Sequence, residues 1–71
     1  MTVHQLMNTA NVTPDVVISI YDTGLQRELY SGKYEDSPNT LWHLQVDSFR
    51  VTHLRELEYR TDIDRMVIHI H

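Results

Sequence analysis

The stretch Asp15–Gly32, Asp-Val-Val-Ile-Ser-Ile-Tyr-Asp-Thr-Gly-Leu-Gln-Arg-Glu-Leu-Tyr-Ser-Gly, decides the fold that this sequence predicts. Its first part has β-branched residues at every second position, which is typical of a strand with one buried face (Val16, Ile18, Ile20). Asp22-Thr23-Gly24 then supplies turn residues. A more polar run over residues 26–31 follows, and it predicts an outer or edge strand. The stretch therefore predicts a β-hairpin.

The segments on both sides of the hairpin predict short helices. Residues 2–9 place apolar side chains on one face at helical spacing (Val3, Leu6, Met7). Ser37 followed by Pro38 is a helix-start signal, and it predicts one or two helical turns over residues 38–44. Helices this short need a sheet to pack against.

The C-terminal part predicts two more strands. Alternation from Val46 predicts a third strand, which we extend through a bulge to Tyr59, although a short helix from Leu54 is the alternative. Residues 61–64 then predict a turn and residues 65–71 a fourth strand. In that strand Met66, Ile68 and Ile70 are expected to face the core, and the alternate residues to face away.

The predicted fold is one small α+β domain over residues 1–71 with the order α-β-β-α-β-β. We expect a sheet of about four mostly antiparallel strands with two short helices on one face. Such a sheet leaves its other face open to a partner or to a second copy.

Composition excludes several classes of protein. The chain has 71 residues, no cysteine and a net charge of −4, which argues against disulfide staples and against binding to a nucleic-acid backbone. Its apolar runs are too short to span a membrane, and the N-terminal stretch lacks a signal-peptide core, so we expect a cytoplasmic protein. The sequence contains no phosphate loop, nucleophile elbow or calcium loop, so we expect no enzyme activity and no cofactor.

The chain also resembles small uncharacterised proteins of bacteriophages and integrated elements of Gram-positive bacteria. The resemblance comes from a short Thr-Val-x-x-Leu helix, a hairpin with Val-x-Ile, Thr-Gly and Leu-Tyr-x-Gly, a short leucine-containing helix that an acidic residue and proline open, and two final strands. The matching residues are Thr2, Val3 and Leu6, then Val16–Gly24 and Glu28–Gly32, then Asp36–Pro38 with Leu41 and Leu44, and finally Val46–Val51 and Met66–Ile70. The segment 54–64 looks longer than the usual connection in that group. The resemblance implies a mobile-element setting and no particular activity.

Histidines and carboxylates are the candidates for chemistry. His69 and His71 lie two residues apart, and His53 would join them if the last two strands pair, which would suit zinc. These histidines are more simply explained as part of the polar, solvent-facing side of a strand, so we predict no metal site. Asp62 and Asp64 are most simply turn residues.

The aromatic side chains are the candidate binding residues: Tyr21, Tyr30, Tyr34, Trp42 and Tyr59. Tyrosine and tryptophan are enriched in protein interfaces because they bury a large area at a low entropic cost. We expect Tyr21 and Tyr30 to share the open face of the sheet, whereas Trp42 is more simply a core residue.

The leading hypothesis is a non-enzymatic protein-binding accessory protein of a mobile genetic element, with an inhibitor of host defence such as an anti-CRISPR as one example. It would use the open sheet face or an edge strand, with a homodimer as one form. A nucleic-acid-binding accessory protein is the first alternative, and it requires the arginines to gather on one side (Arg27, Arg50, Arg55, Arg60, Arg65). A small histidine-rich metal-binding protein is the second.

Overall fold

The computed structural model describes residues 1–10 and 12–71. One helix and four strands follow each other along the chain: α1 (Val3–Ala10), β1 (Val17–Asp22), β2 (Arg27–Lys33), β3 (Val46–Glu56) and β4 (Thr61–Ile70). The predicted helix over residues 2–9 and the predicted hairpin are both confirmed, with bounds shifted by one or two residues.

The four strands form one mixed sheet in the order β2-β1-β4-β3. The β1–β2 and β3–β4 pairs are antiparallel, as expected, but β1 and β4 run parallel at the centre of the sheet. The predicted antiparallel arrangement is therefore confirmed for the two outer strand pairs but not for the central pair, β1 and β4. The two most apolar strands lie side by side because both must cover the same buried face.

The predicted one or two helical turns over residues 38–44 are confirmed only as a single 3₁₀ turn, Asn39–Leu41, so this segment does not form the expected second helix. Another 3₁₀ turn, Tyr34–Asp36, precedes it. The carbonyl oxygens of Trp42 and Leu44 accept hydrogen bonds from the N–H groups of His4 and Val3 at 3.1 and 3.0 Å. They therefore satisfy backbone donors at the N-terminus of α1 and do not continue a helix of their own. No helix in the described part of the chain is long and apolar enough to cross a membrane.

The last hairpin is shifted along the sequence from its predicted position. β3 ends at Glu56, which pairs with Thr61, and the Leu57 N–H donates to the Arg60 oxygen at 2.8 Å across the turn. The predicted strand to Tyr59 is therefore too long, and the predicted turn at residues 61–64 belongs to β4. β3 nevertheless shows the expected irregularity, with shifts in its register against β4 around Val51 and His53.

The core lies between α1 and the inner face of the two central strands. Val3, Leu6 and Met7 of α1 are buried against alternate residues of the sheet (Val16, Ile18, Ile20, Met66, Ile68, Ile70). The predicted core faces of α1, β1 and β4 are therefore confirmed. We call this side of the sheet the core face and the opposite side the outer face.

Candidate interaction surface

The predicted binding aromatics do not form one surface. Tyr30 pairs with the fully buried Ile20 and packs against the core, and its hydroxyl donates to the Lys33 oxygen at 2.7 Å. Tyr21 lies on the outer face, where its ring meets the edge of His69 at a centroid distance of 5.9 Å. Tyr30 lies directly opposite the core-face residue Ile20, whereas Tyr21 is the next residue of β1 and faces the other side, so the expectation that the two tyrosines share a face is wrong.

Tyr34 and Trp42 form a separate cluster with His4 of α1. The Trp42 ring stacks on His4 at 5.5 Å and tilts against Tyr34 at 5.3 Å, and its indole N–H donates to the Ser37 hydroxyl at 2.9 Å. Partial burial raises the pKa of Tyr34. Trp42 stays half-buried and is not among the core residues, contrary to expectation. The cluster holds the 3₁₀ segment against α1, which is a structural role.

Tyr59 stands apart from both groups, in the turn between β3 and β4. Its side chain is 92% exposed, the most of any large apolar or aromatic residue in the described chain. The five predicted residues are thus divided among the core face, the outer face, the α1 cluster and a turn.

The candidate metal ligands are also separated. His53 pairs with Arg65, whereas His69 pairs with Ser48. The Nδ1 atoms of these two histidines lie 2.9 Å from Asp64 Oδ2 and 3.3 Å from the Ser48 hydroxyl, respectively. No group of three metal-ligating side chains occurs within the described ranges, so His53, His69 and His71 do not form a zinc site.

A cluster of charged groups joins the base of β1 to the β3–β4 hairpin. Arg55 Nη2 lies 3.6 Å from carboxylate oxygens of both Asp15 and Asp64. A hydrogen bond from the Thr13 hydroxyl lowers the pKa of Asp15, and the nearby Arg55 charge adds to this effect, against a partly opposing desolvation. The side chains of Arg55, Asp15 and Asp64 are 38 to 49% exposed, so solvent screens their ion pairs and these contribute little to stability.

The arginines do not gather on one side. Arg60 contacts Asp62 at 3.4 Å, Arg55 belongs to the cluster above, and Arg27 pairs with Asp22 at the end of the first hairpin. Cross-strand pairing does place Arg50 and Arg65 on the outer face, opposite Val67 and Val17.

A row of exposed apolar side chains lies on β3. Phe49, Val51 and Leu54, which we call the β3 strip, are 48, 39 and 53% exposed. They pair with β4 residues of the core face: Phe49 with Ile68, Val51 with Met66 and Leu54 with Ile63. Directly opposed residues share a face, so the β3 strip extends the core face beyond the part that α1 covers. Ile68 and Met66 are fully buried, whereas their β3 partners remain open to solvent.

β3 is also an edge of the sheet. It follows β4 in the strand order, with no described strand on its other side. Only its start is capped, since the Val46 N–H donates to the Met1 oxygen at 2.7 Å. An exposed edge beside an exposed apolar strip offers a partner both backbone hydrogen bonds and side-chain contacts.

Sequence reasoning recognised β3 as a strand but did not select it as a site. The sequence does contain a signal for this site, because the apolar residues Phe49 and Val51 alternate with polar residues and so predict that one side of β3 is apolar. Only the position of α1 shows that nothing in the described chain covers that face.

Comparisons with known proteins give no further guide to the site. A scan of family models, a search of curated proteins and a search of solved structures each found no match. The resemblance to phage and integrated-element proteins therefore stays a prediction.

Proposed function

We propose that this chain is a non-enzymatic protein-binding accessory protein that works through the β3 strip and the adjoining edge of β3. The single observation that carries the proposal is the continuation of the core face onto β3 without cover. An apolar strip of this kind costs solubility, and in small proteins it marks an interaction site. The five aromatics proposed from the sequence are replaced by Phe49, Val51 and Leu54 as the main contacts.

The biological setting of the proposal rests on the sequence resemblance. In that setting the chain is a cytoplasmic protein of a mobile genetic element, and its partner is a host protein, for example a component of a defence system, as for an anti-CRISPR. The absence of catalytic motifs and the net charge of −4 agree with a protein that acts by binding another protein.

Paired substitutions test whether the β3 strip is the binding surface. Phe49→Ser with Leu54→Ser removes two side chains of the strip that are 48 and 53% exposed. Leu25→Ser with Tyr59→Ser is the matched control, because it removes two side chains that are at least as exposed but lie in turns. Circular dichroism first establishes that both variants fold.

Affinity capture from a Gram-positive host lysate, read by mass spectrometry, then compares the variants with the wild type. We expect a stoichiometric partner to bind the wild type and the control, and to bind the strip variant at least about tenfold more weakly. Equal binding by both variants would show that the β3 strip is not the surface used.

A nucleic-acid-binding function is a second candidate, favoured by three cations on the outer face. Cross-strand pairs place Lys33, Arg50 and Arg65 there, together with the carboxylate of Glu28, and the Asp64 carboxylate lies 2.9 Å from His53, the cross-strand neighbour of Arg65. A gel-shift assay at low salt with single-stranded and duplex DNA tests this candidate. A shift abolished by Arg50→Gln with Arg65→Gln would support it, and no shift would remove it.

A further inference from the structure

Three rows of side chains cross the outer face of the sheet from β2 to β3. They follow from the strand register, since residues that lie directly opposite each other share a face. Successive rows are about 6–7 Å apart, because a strand rises about 3.3 Å per residue and every second residue faces this side. In order, the rows are Lys33, Val17, Arg65 and His53; Ser31, Ser19, Val67 and Arg50; and Glu28, Tyr21, His69 and Ser48.

Tyr21 and His69 form a ring pair in the third row, at the middle of the sheet. They are direct neighbours on the two central strands, and their ring centroids lie 5.9 Å apart with an angle of 63° between the planes. His69 Nδ1 lies 3.3 Å from the Ser48 hydroxyl, a contact that orients the imidazole. The helix α1 packs on the core face, so it leaves this ring pair accessible from the other side of the sheet.

Arg50 and Arg65 are the two arginines of the outer face, and both are exposed. Within the described ranges neither forms an ion pair with a carboxylate, whereas Arg55 and Arg60 both do. Ten acidic residues outnumber six basic ones in this chain, so two arginines without carboxylate partners on one face are unusual for it. Their guanidinium groups are available to an anionic ligand, and phosphate suits their planar geometry.

The carboxylates near these arginines are already bound by other groups. Glu28 lies in the third row, where its Oε1 accepts the Ser19 hydroxyl at 2.6 Å. Asp64 lies 2.9 Å from His53 and 3.6 Å from Arg55. These contacts partly offset the repulsion that the two carboxylates exert on an anion at the outer face.

A shallow cavity of about 380 Å³ lies across the first two rows, beside the ring pair. Its lining is mostly small side chains, and Arg65 contributes a cation to it (Val17, Ser19, Ser31, Val67). Small residues at this point leave room for a ligand to lie on the sheet between the arginines and the rings.

We propose that the outer face binds single-stranded nucleic acid, with bases stacked on Tyr21 and His69 and phosphates bound by Arg50 and Arg65. This inference rests on the second candidate function, since it names the strand state and the contacts of that ligand. An anion alone would use only the arginines, whereas nucleic acid uses the arginines and the rings together. A single strand offers unstacked bases to the rings, whereas a duplex keeps its bases stacked and paired.

Fluorescence anisotropy at low salt tests the strand state with a labelled oligothymidylate of about fifteen nucleotides and a duplex of the same length. We expect the wild type to bind the single strand at least about tenfold more tightly than the duplex. Tyr21→Ala should weaken binding of the single strand about tenfold, because it removes a stacking surface, and Tyr21→Phe should restore it. Tyr59→Ala is the matched control, since Tyr59 is 92% exposed but lies in a turn outside the three rows.

The dependence on salt separates the arginines from the ring. Arg50→Gln with Arg65→Gln removes two phosphate contacts, so the slope of log K against log salt concentration should become shallower by about 1.4. Tyr21→Ala should leave this slope unchanged, because stacking releases no counterion. Arg27→Gln with Arg60→Gln is the charge-matched control, since Arg27 lies opposite Asp22 and Arg60 contacts Asp62, outside the three rows.

Circular dichroism establishes that each variant folds, and NMR of the wild type gives a measurement that needs no substitution. The ring-proton signals of Tyr21 and His69 should shift when oligothymidylate is added, and those of Tyr59 should not. Equal affinity for duplex and single strand, or unshifted ring signals, would overturn the proposal. If binding is still lost in the variant with Arg50→Gln and Arg65→Gln, that result leaves the second candidate function standing. No binding of either probe by the wild type would remove both.

Discussion

Gly32 is where a single residue most constrains the first hairpin. Its φ is +151°, a conformation that side chains disfavour, and a Cβ built there would lie 2.9 Å from the Tyr30 hydroxyl. That hydroxyl donates to the Lys33 oxygen, so a Cβ at residue 32 would have to displace a hydrogen-bonded tyrosine ring. The residue after the tyrosine-serine pair is therefore restricted to glycine by both backbone and packing.

We expect Gly32→Ala to destabilise the protein by about 1–3 kcal/mol. Urea denaturation followed by tryptophan fluorescence measures the loss. Gly24→Ala is the control, because Gly24 has an ordinary φ and its nearest neighbour to an added Cβ is an Asp22 oxygen at 3.3 Å. Equal stability of Gly32→Ala and the wild type would contradict the strain that we assign to this position.

Thr13 and Asp15 give the stability a dependence on pH. The Thr13 hydrogen bond, aided by Arg55, lowers the pKa of Asp15 below its ordinary value of 3.8 in the folded state. A carboxyl group with a lowered pKa stabilises the fold above its unfolded pKa, and this contribution is lost as the pH falls through the folded pKa.

Thr13→Val removes the main cause of the lowered pKa, so the variant should lose stability relative to the wild type above about pH 5 and little of it below about pH 3. Denaturation midpoints measured across this range, with Thr40→Val as a control at an exposed threonine, check the prediction. A difference between Thr13→Val and the wild type that is the same at pH 3 and pH 6 would mean that Asp15 is not involved.

At the scale of elements, the sheet has a rigid centre and a projecting hairpin. β1 pairs with β4 only from Arg65 to Ile70, so the distal part of the hairpin, residues 53–56 and 61–64, has no central strand beside it. The residues of this part are exposed or half-buried, whereas β1 and the end of β4 contain the core. Local stability should follow this division.

Hydrogen exchange should therefore be slowest at Ile18, Ile20 and Ile68 and at least about tenfold faster in the distal hairpin. The measurement is made by NMR on the isolated protein. If amides such as Leu54 and Ile63 exchange as slowly as the central ones, the hairpin is part of the same cooperative unit as the core.

At the scale of the whole molecule, the projecting hairpin makes a small protein elongated. The principal extents are 40, 20 and 19 Å, with the long axis set by two strands of eleven and ten residues. A chain of 71 residues buries a modest share of its surface, and here the helix is too short to cover the full sheet. The β3 strip is exposed because α1 does not extend over β3.

Small-angle X-ray scattering at low concentration should show an elongated monomer with a maximum dimension of about 40–50 Å. A compact, nearly spherical particle at low concentration would contradict the projection of the hairpin from the core.

The sequence by itself determined the local structure and much of the core. Alternation in Val16–Ile20 and Met66–Ile70 predicted the two central strands and their buried faces, and Val3, Leu6 and Met7 predicted the inner face of α1, because these signals are periodic and local. Tertiary structure alone decided that β1 and β4 run parallel, and that residues 38–44 form one 3₁₀ turn and give the carbonyls of Trp42 and Leu44 to α1. It also decided the candidate site. The alternation around Phe49 and Val51 predicted a strand but not which of its side chains are covered. Phe49, Val51 and Leu54 are exposed because the strand order places β3 beyond the reach of α1.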